Sequence, residues 1–163
     1  MAEAFPNSTF FGVDPHEGSI AAAIENAEAA GVSDRVSFSV GTADDQTEQG
    51  FDLICFFDAL HDMGDPVGAA RQARAALAEG GTVMLVEPQA ADGVENNQGP
   101  ISRAYYSASS TLCCAHARSE GGEDVLGAQA GEAHLREVFA EAGFRHWRVA
   151  DQSPFNLILE ARA

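Results

Sequence analysis

The stretch FDLICFFDALHDMGDP, residues 51–66, decides the fold. It opens as a nearly unbroken apolar run, the pattern of a parallel strand buried on both faces, and stops abruptly in charged and turn-forming residues. A second stretch of the same kind, GTVMLVEP at residues 81–88, follows an alanine-rich segment. In that segment, residues 67–79, Val67, Ala70, Ala73 and Leu77 share one helical face, and Arg74 intrudes on the same arc. Strand, helix, strand is the repeating unit of an open parallel sheet, whose ligands bind beyond the carboxyl ends of the strands. Function is therefore sought in DALHDMGD and at Glu87.

Upstream, residues 1–5 read as the last turn of a helix, stopped by Pro6 and Asn7. TFFGVD at residues 9–14 is a short strand ending in an acid. A helix from about residue 18 to residue 30 carries Ile20, Ala23, Ile24 and Ala27 on one face, and Gly31 closes it. Residues 36–40 alternate as a strand, and residues 41–50 form an acidic loop. Downstream of Glu87 the alternation breaks. Residues 89–131 have weak periodicity, with a predicted helix at about 101–115, and an insertion of this length reads as a lid or substrate region. Residues 132–142 give an amphipathic helix with Leu135, Val138 and Phe139 on one face. Residues 144–149 and 155–161 close the chain as an antiparallel hairpin around Ser153 and Pro154.

The totals narrow the function classes. The chain has 163 residues, 45% of them apolar, which is enough for one domain with a sizeable core. No run is long enough to cross a bilayer and no secretory leader is visible, so a soluble cytoplasmic protein is expected. The formal charge is −16 and all nine basic residues are arginine, which argues against direct nucleic-acid binding. Cys55, Cys113 and Cys114 make no disulfide framework, in keeping with a reducing compartment.

Strand with terminal acid, helix, strand, FDLICFFDALHDMGDP, helix, LVEP, lid, helix and hairpin resembles the class I S-adenosylmethionine-dependent methyltransferases over nearly the whole chain. FFDALHDMGDP, LVEP and LGAQAGEA are most similar to bacterial members in which a winged-helix-like domain precedes the catalytic one. The resemblance implies an α/β, Rossmann-like sheet of order 3-2-1-4-5-7-6 with an antiparallel last strand. The family's first strand and glycine-rich loop have no counterpart here and are expected ahead of Met1. Residues 1–163 are thus expected to be one partial methyltransferase domain, truncated at its N-terminus. Two strand edges would then be unsatisfied, which predicts a fragment, poor solubility or a homo-oligomer that fills the gap.

What the resemblance implies for the site is S-adenosylmethionine as cofactor and a small-molecule methyl acceptor. Asp14 is placed to accept hydrogen bonds from the cofactor ribose, or else it is a helix-capping acid before Pro15. Pro15 and His16 either lie against the adenine or are a turn proline and a solvated histidine. Thr42, Ala43 and Asp44 occupy the adenine contact, with an ordinary acidic loop as the alternative. Asp58 faces the cofactor. His61 is either a base toward the acceptor or a positioning or capping group. Glu87 either stabilises the sulfonium and orients the acceptor or is a rim acid. Tyr105, Tyr106 and His116 either shape an acceptor pocket or pack.

Cys113, Cys114 and His116 lack the spacing of a zinc motif, because adjacent cysteines have no two-residue spacer, so no metal is expected. A nicotinamide oxidoreductase needs a G-x-G-x-x-G loop and a serine hydrolase a G-x-S-x-G turn, and neither occurs. The competing reading is a non-catalytic remnant or interaction module that has lost cofactor binding.

Overall fold

Hydrophobic runs that end in turn residues become strands here, and alanine-rich stretches become the helices between them. The computed structural model describes residues 1–45 and 47–163, apart from the side chain of Asp44. They form two compact units, Met1–Thr47 and Glu48–Ala163. Among the described residues no helix is long and apolar enough to cross a membrane.

In the first unit, β1 (Phe10–Asp14) pairs in parallel with β2 (Val36–Val40), in register from Phe10 opposite Val36 to Asp14 opposite Val40. Helix α1 (Glu17–Ala29) connects them. His16 caps it, its Nδ1 accepting from the Ser19 amide at 3.1 Å. Gly31, at φ +66°, takes the left-handed conformation that ends the helix and lets the Val32 amide reach back to the Ala27 carbonyl. Of the predicted apolar face, Ile20 and Ala27 are buried, whereas Ile24 is 43% exposed. Residues 1–5 make one turn, with the Ala4 and Phe5 amides donating to the Met1 carbonyl.

The second unit holds a four-stranded sheet in the order β3 (Phe51–Phe57), β4 (Leu77–Pro88), β6 (Asn156–Arg162), β5 (His146–Gln152). The first pair is parallel and the other two are antiparallel. Within each sheet the order is that of the expected 3-2-1-4-5-7-6 arrangement with its first strand left out, and the last strand runs antiparallel as predicted. Helices α2 (Pro66–Ala76) and α5 (Gly131–Glu141) pack on each other. Buried Ala69, Ala70, Ala73, Leu135, Val138 and Phe139 come from these helices, and Val83, Leu85, Leu157 and Leu159 from the sheet. Leu60, Val83, Leu85, Leu135, Phe139 and Leu159 are each at most 2% exposed, and each contributes roughly 1.5–3 kcal/mol by leaving water.

Four expectations change. β3 is not buried on both faces: among the described residues it pairs only with β4, and Leu53 and Phe57 are 42% and 56% exposed. Helix α2 stops at Ala76 rather than residue 79, because Leu77 turns extended and pairs with Phe51. Gly80 and Gly81 then form a bulge so tight that a Cβ on Gly81 would lie 2.8 Å from the Phe51 carbonyl oxygen. Arg74 is exposed, since the buried face of α2 is formed by Pro66, Ala69, Ala70, Ala73 and Ala76. The helix predicted at 101–115 breaks at Leu112 (φ −117°, ψ −73°) into α3 (Pro100–Thr111) and α4 (Cys113–Ser119).

Candidate active site

Strand β3 ends at Phe57, and the chain turns sharply through Asp58, whose φ of +47° is rare for a residue with a side chain. The Asp58 amide still donates to the Val86 carbonyl, so the turn begins anchored to β4. Its carboxylate accepts from the Asn156 side-chain amide at 3.0 and 3.3 Å. A single 3-10 turn, Leu60–Asp62, follows and places Leu60 and His61 inward, both buried.

Glu87, near the end of β4, meets that turn. It is 2% exposed, with Oε1 accepting from the Leu60 amide at 3.1 Å and Oε2 2.5 Å from His61 Nδ1. Burial raises the Glu87 carboxyl above its ordinary value, opposed in part by the histidine. On His61, burial works against the charged form, but the hydrogen bond and charge of Glu87, with the nearby charges of Asp62 and Asp58, outweigh it and raise its pKa. Glu87 thus occupies Nδ1, and Nε2 is the ring nitrogen directed away from it. Nε2 lies 3.3 Å from Asp62 Oδ1, an oxygen that is itself buried and without a hydrogen bond. Beside it sits Cys113, whose thiol is pushed up to about 12 by burial and then by the Asp62 carboxylate.

The long insertion folds against this turn. The Gly127 amide donates to the His61 carbonyl at 3.2 Å, and the Ala128 amide to Ser109 Oγ at 2.9 Å, so LGAQAGEA is tied to both the turn and α3. Gly64 and Gly122 allow the backbone after the turn to touch the end of α4, where a Cβ on Gly122 would lie 2.8 Å from both the Ala117 and Gly64 carbonyls. Tyr106 lines a cavity of about 330 Å³ with Val94, Asn97, Gln98 and Arg103. The Tyr105 hydroxyl donates to the Phe155 carbonyl, and His116 pairs with Glu120 at 3.3 Å.

In the first unit, Asp14 stands half-buried at the carboxyl end of β1, with Oδ1 accepting from the His16 amide at 2.8 Å. Its Oδ2 has no partner among the described residues, so the carboxylate retains the acceptor capacity that a vicinal diol requires. Thr42 uses its donors internally: its amide and hydroxyl both donate to Asp45 Oδ2 at 2.9 Å, capping a 3-10 turn that contains Ala43. That backbone hydrogen bond, then the hydroxyl, hold the Asp45 carboxyl below its ordinary value. The Asp44 side chain lies outside the described residues.

The structure thus joins His61 and Glu87 in one buried pair, with Asp58 on an adjoining turn and Asp14, Thr42 and Ala43 in the other unit. Asp62 and Asn156 were missed by the reading of the sequence, and Cys113 was weighed only as part of a zinc motif with Cys114 and His116. Asp62 stood beside His61 in LHDM; Asn156 carried no signal, since its partner lies 98 residues away.

A family model described as a methyltransferase domain matches residues 1–143. No curated protein matches the chain. Among solved structures, the O-methyltransferase of neocarzinostatin biosynthesis, in complex with S-adenosyl-L-homocysteine and 1,4-dihydroxy-2-naphthoic acid, is 24% identical with a TM-score of 0.72, over 99% of this chain and 44% of that one. An O-methyltransferase family 2 protein from Planctomyces limnophilus, in complex with apigenin, is 19% identical with a TM-score of 0.71, over 99% and 45%. The YcgJ protein of Bacillus subtilis is 21% identical with a TM-score of 0.66, over 92% and 58%. These likenesses show the class I methyltransferase fold, and the chain spans less than half the length of the first two.

Proposed function

From the premise that the chain belongs to the methyltransferase-domain family, we propose that it is the catalytic part of an enzyme that moves a methyl group from S-adenosylmethionine to a small molecule. The observation that carries the reading is the buried His61–Glu87 pair at the carboxyl ends of β3 and β4. The cofactor supplies an electrophilic methyl on a sulfonium. Asp14 holds its ribose hydroxyls, and Asp58, fixed by Asn156, is assigned to cofactor binding as well. His61 Nε2 takes the proton from the acceptor's hydroxyl or amine, while Glu87 keeps the ring oriented through Nδ1 and balances the imidazolium charge. Because Glu87 is buried behind the ring, its part is positioning rather than contact with a sulfonium. We assign the acceptor to the region of residues 89–131, around the cavity lined by Tyr106. Among the described residues one edge of β3 is unpaired, which fits a longer protein in which a preceding strand with its glycine-rich loop completes the sheet and a winged-helix-like domain comes before it. The three free cysteines fit a cytoplasmic setting.

The alternative, a module without cofactor binding, is separated by calorimetric titration with S-adenosylhomocysteine. Binding that weakens at least about ten-fold in Asp14→Ala supports the enzyme reading; a folded chain that binds nothing supports the module. With an acceptor in hand, His61→Ala lowers turnover and leaves cofactor affinity nearly unchanged, and an equal loss of both would remove the base assignment.

A further inference from the structure

We infer that His61, Asp62 and Cys113 form a binding site for a zinc ion, a site separate from any pattern along the sequence and created by the fold. Nε2 of His61, a carboxylate oxygen of Asp62 and Sγ of Cys113 all lie within 4.8 Å of one another. The Nε2 to Oδ1 distance is 3.3 Å, close to the roughly 3.5 Å that separates two ligands on a tetrahedral zinc ion. The remaining ligand pairs lie within 4.8 Å, so closing on a metal ion requires only small side-chain rotations at Asp62 and Cys113.

Three further features fit a metal better than a resting hydrogen-bond network. His61 is held from behind, Nδ1 against a carboxylate that is 2% exposed, which is the carboxylate–histidine arrangement that orients metal-bound imidazoles and makes them better donors. With Nδ1 held by Glu87, Nε2 faces Asp62 Oδ1 at 3.3 Å, a buried oxygen with no hydrogen-bond partner among the described residues. A metal ion between that nitrogen and that oxygen would take the place of the proton that an imidazolium puts there. Cys113, 8% exposed, adds the thiolate that selects zinc over magnesium or calcium, which prefer all-oxygen sites. Three protein ligands leave a fourth position for water or for a donor from a bound molecule.

Two residues of the cysteine-rich segment are left out. Cys114 lies 3.5 Å from Ser109 Oγ, and His116 pairs with exposed Glu120. The fold, through the break at Leu112, brings Cys113 and not its neighbour to His61. A zinc ion on Nε2 also occupies the nitrogen that methyl transfer would use, so metal binding and base action exclude each other. The metal site itself stands without the methyl-transfer reading.

The test titrates the chelator-treated chain with cobalt(II) as a spectroscopic stand-in, then with zinc. One cobalt per chain is expected, with the intense visible bands of tetrahedral coordination and a thiolate-to-cobalt band in the near ultraviolet that zinc abolishes. Cys113→Ser removes the thiolate band and Cys114→Ser keeps it. Glu87→Gln, which leaves all three ligands in place, weakens binding about 10–100-fold through the lost orientation of His61. A thiolate band that survives in Cys113→Ser, or a chain with native circular dichroism that takes up no cobalt, overturns the site.

Discussion

The two units have similar ingredients and different fates. Met1–Thr47 has two strands and one helix, and its buried apolar residues are Ile20, Ala27 and Val32, with none in either strand. Glu48–Ala163 places a four-stranded sheet under a pair of helices, and there Val83, Leu85, Leu135, Phe139 and Leu159 are almost wholly enclosed. VSFSV in β2 alternates regularly whereas β4 carries the unbroken apolar run VMLV, yet of the two only β4 buries alternate residues. A two-stranded ladder offers few neighbours, so pattern alone does not bury it. Stability resides in the second unit.

The largest effect expected from this contrast is on Phe139, which is 1% exposed and stacks near Phe144 and Trp147 at centroid distances of 5.1 and 5.2 Å. Phe139→Ala is expected to lower the stability of the second unit by about 3–5 kcal/mol, read from the urea midpoint. Ile20→Ala, the deepest comparable change in the first unit, is expected to act locally. Amides of β1 and β2 would exchange hydrogen faster by an equivalent of about 1–2 kcal/mol, while those of β4 and β6 stay protected. Loss of protection in β4 and β6 upon Ile20→Ala would break the comparison, because the two units would then unfold together.

The sequence made the framework legible to different degrees in the two halves. Strand and helix positions follow from hydrophobic period and stop signals, and Gly31 stands just beyond the helix that it is predicted to close. What was not legible depends on pairing. The burial of FDLICFF depends on a second neighbour beside β3, and the extension of β4 back to Leu77 depends on its register with Phe51. The site divides in the same way. His61 and Glu87 were each picked out at strand ends, but that they form one buried pair follows from a 3-10 turn no period announces. Cys113 reaches the pair only because Leu112 breaks a run that reads as one helix.

The smallest and most specific effect concerns charge, which also separates the halves. In the first unit His16 is exposed and spends its ring on a helix cap, whereas in the second His61 is enclosed with Glu87. Burial disfavours the His61 cation, yet Glu87 and the neighbouring acids prevail and its folded pKa lies above 6.5. A raised value means that the folded chain binds the proton more tightly than the unfolded one. The stabilisation is fully present below the unfolded value of 6.5 and is lost as pH rises through the folded value. Glu87→Gln removes the anion that raises it. In the metal-free chain the stability difference between wild type and Glu87→Gln is therefore expected to be about 1 kcal/mol near pH ~6 and to shrink toward pH ~9, as read from urea midpoints. Proton NMR of the His61 ring would show its midpoint falling in the variant. A difference that instead grows with pH would mean that Glu87 holds a neutral imidazole, and that the ring's orientation rather than its charge is what the buried carboxylate secures.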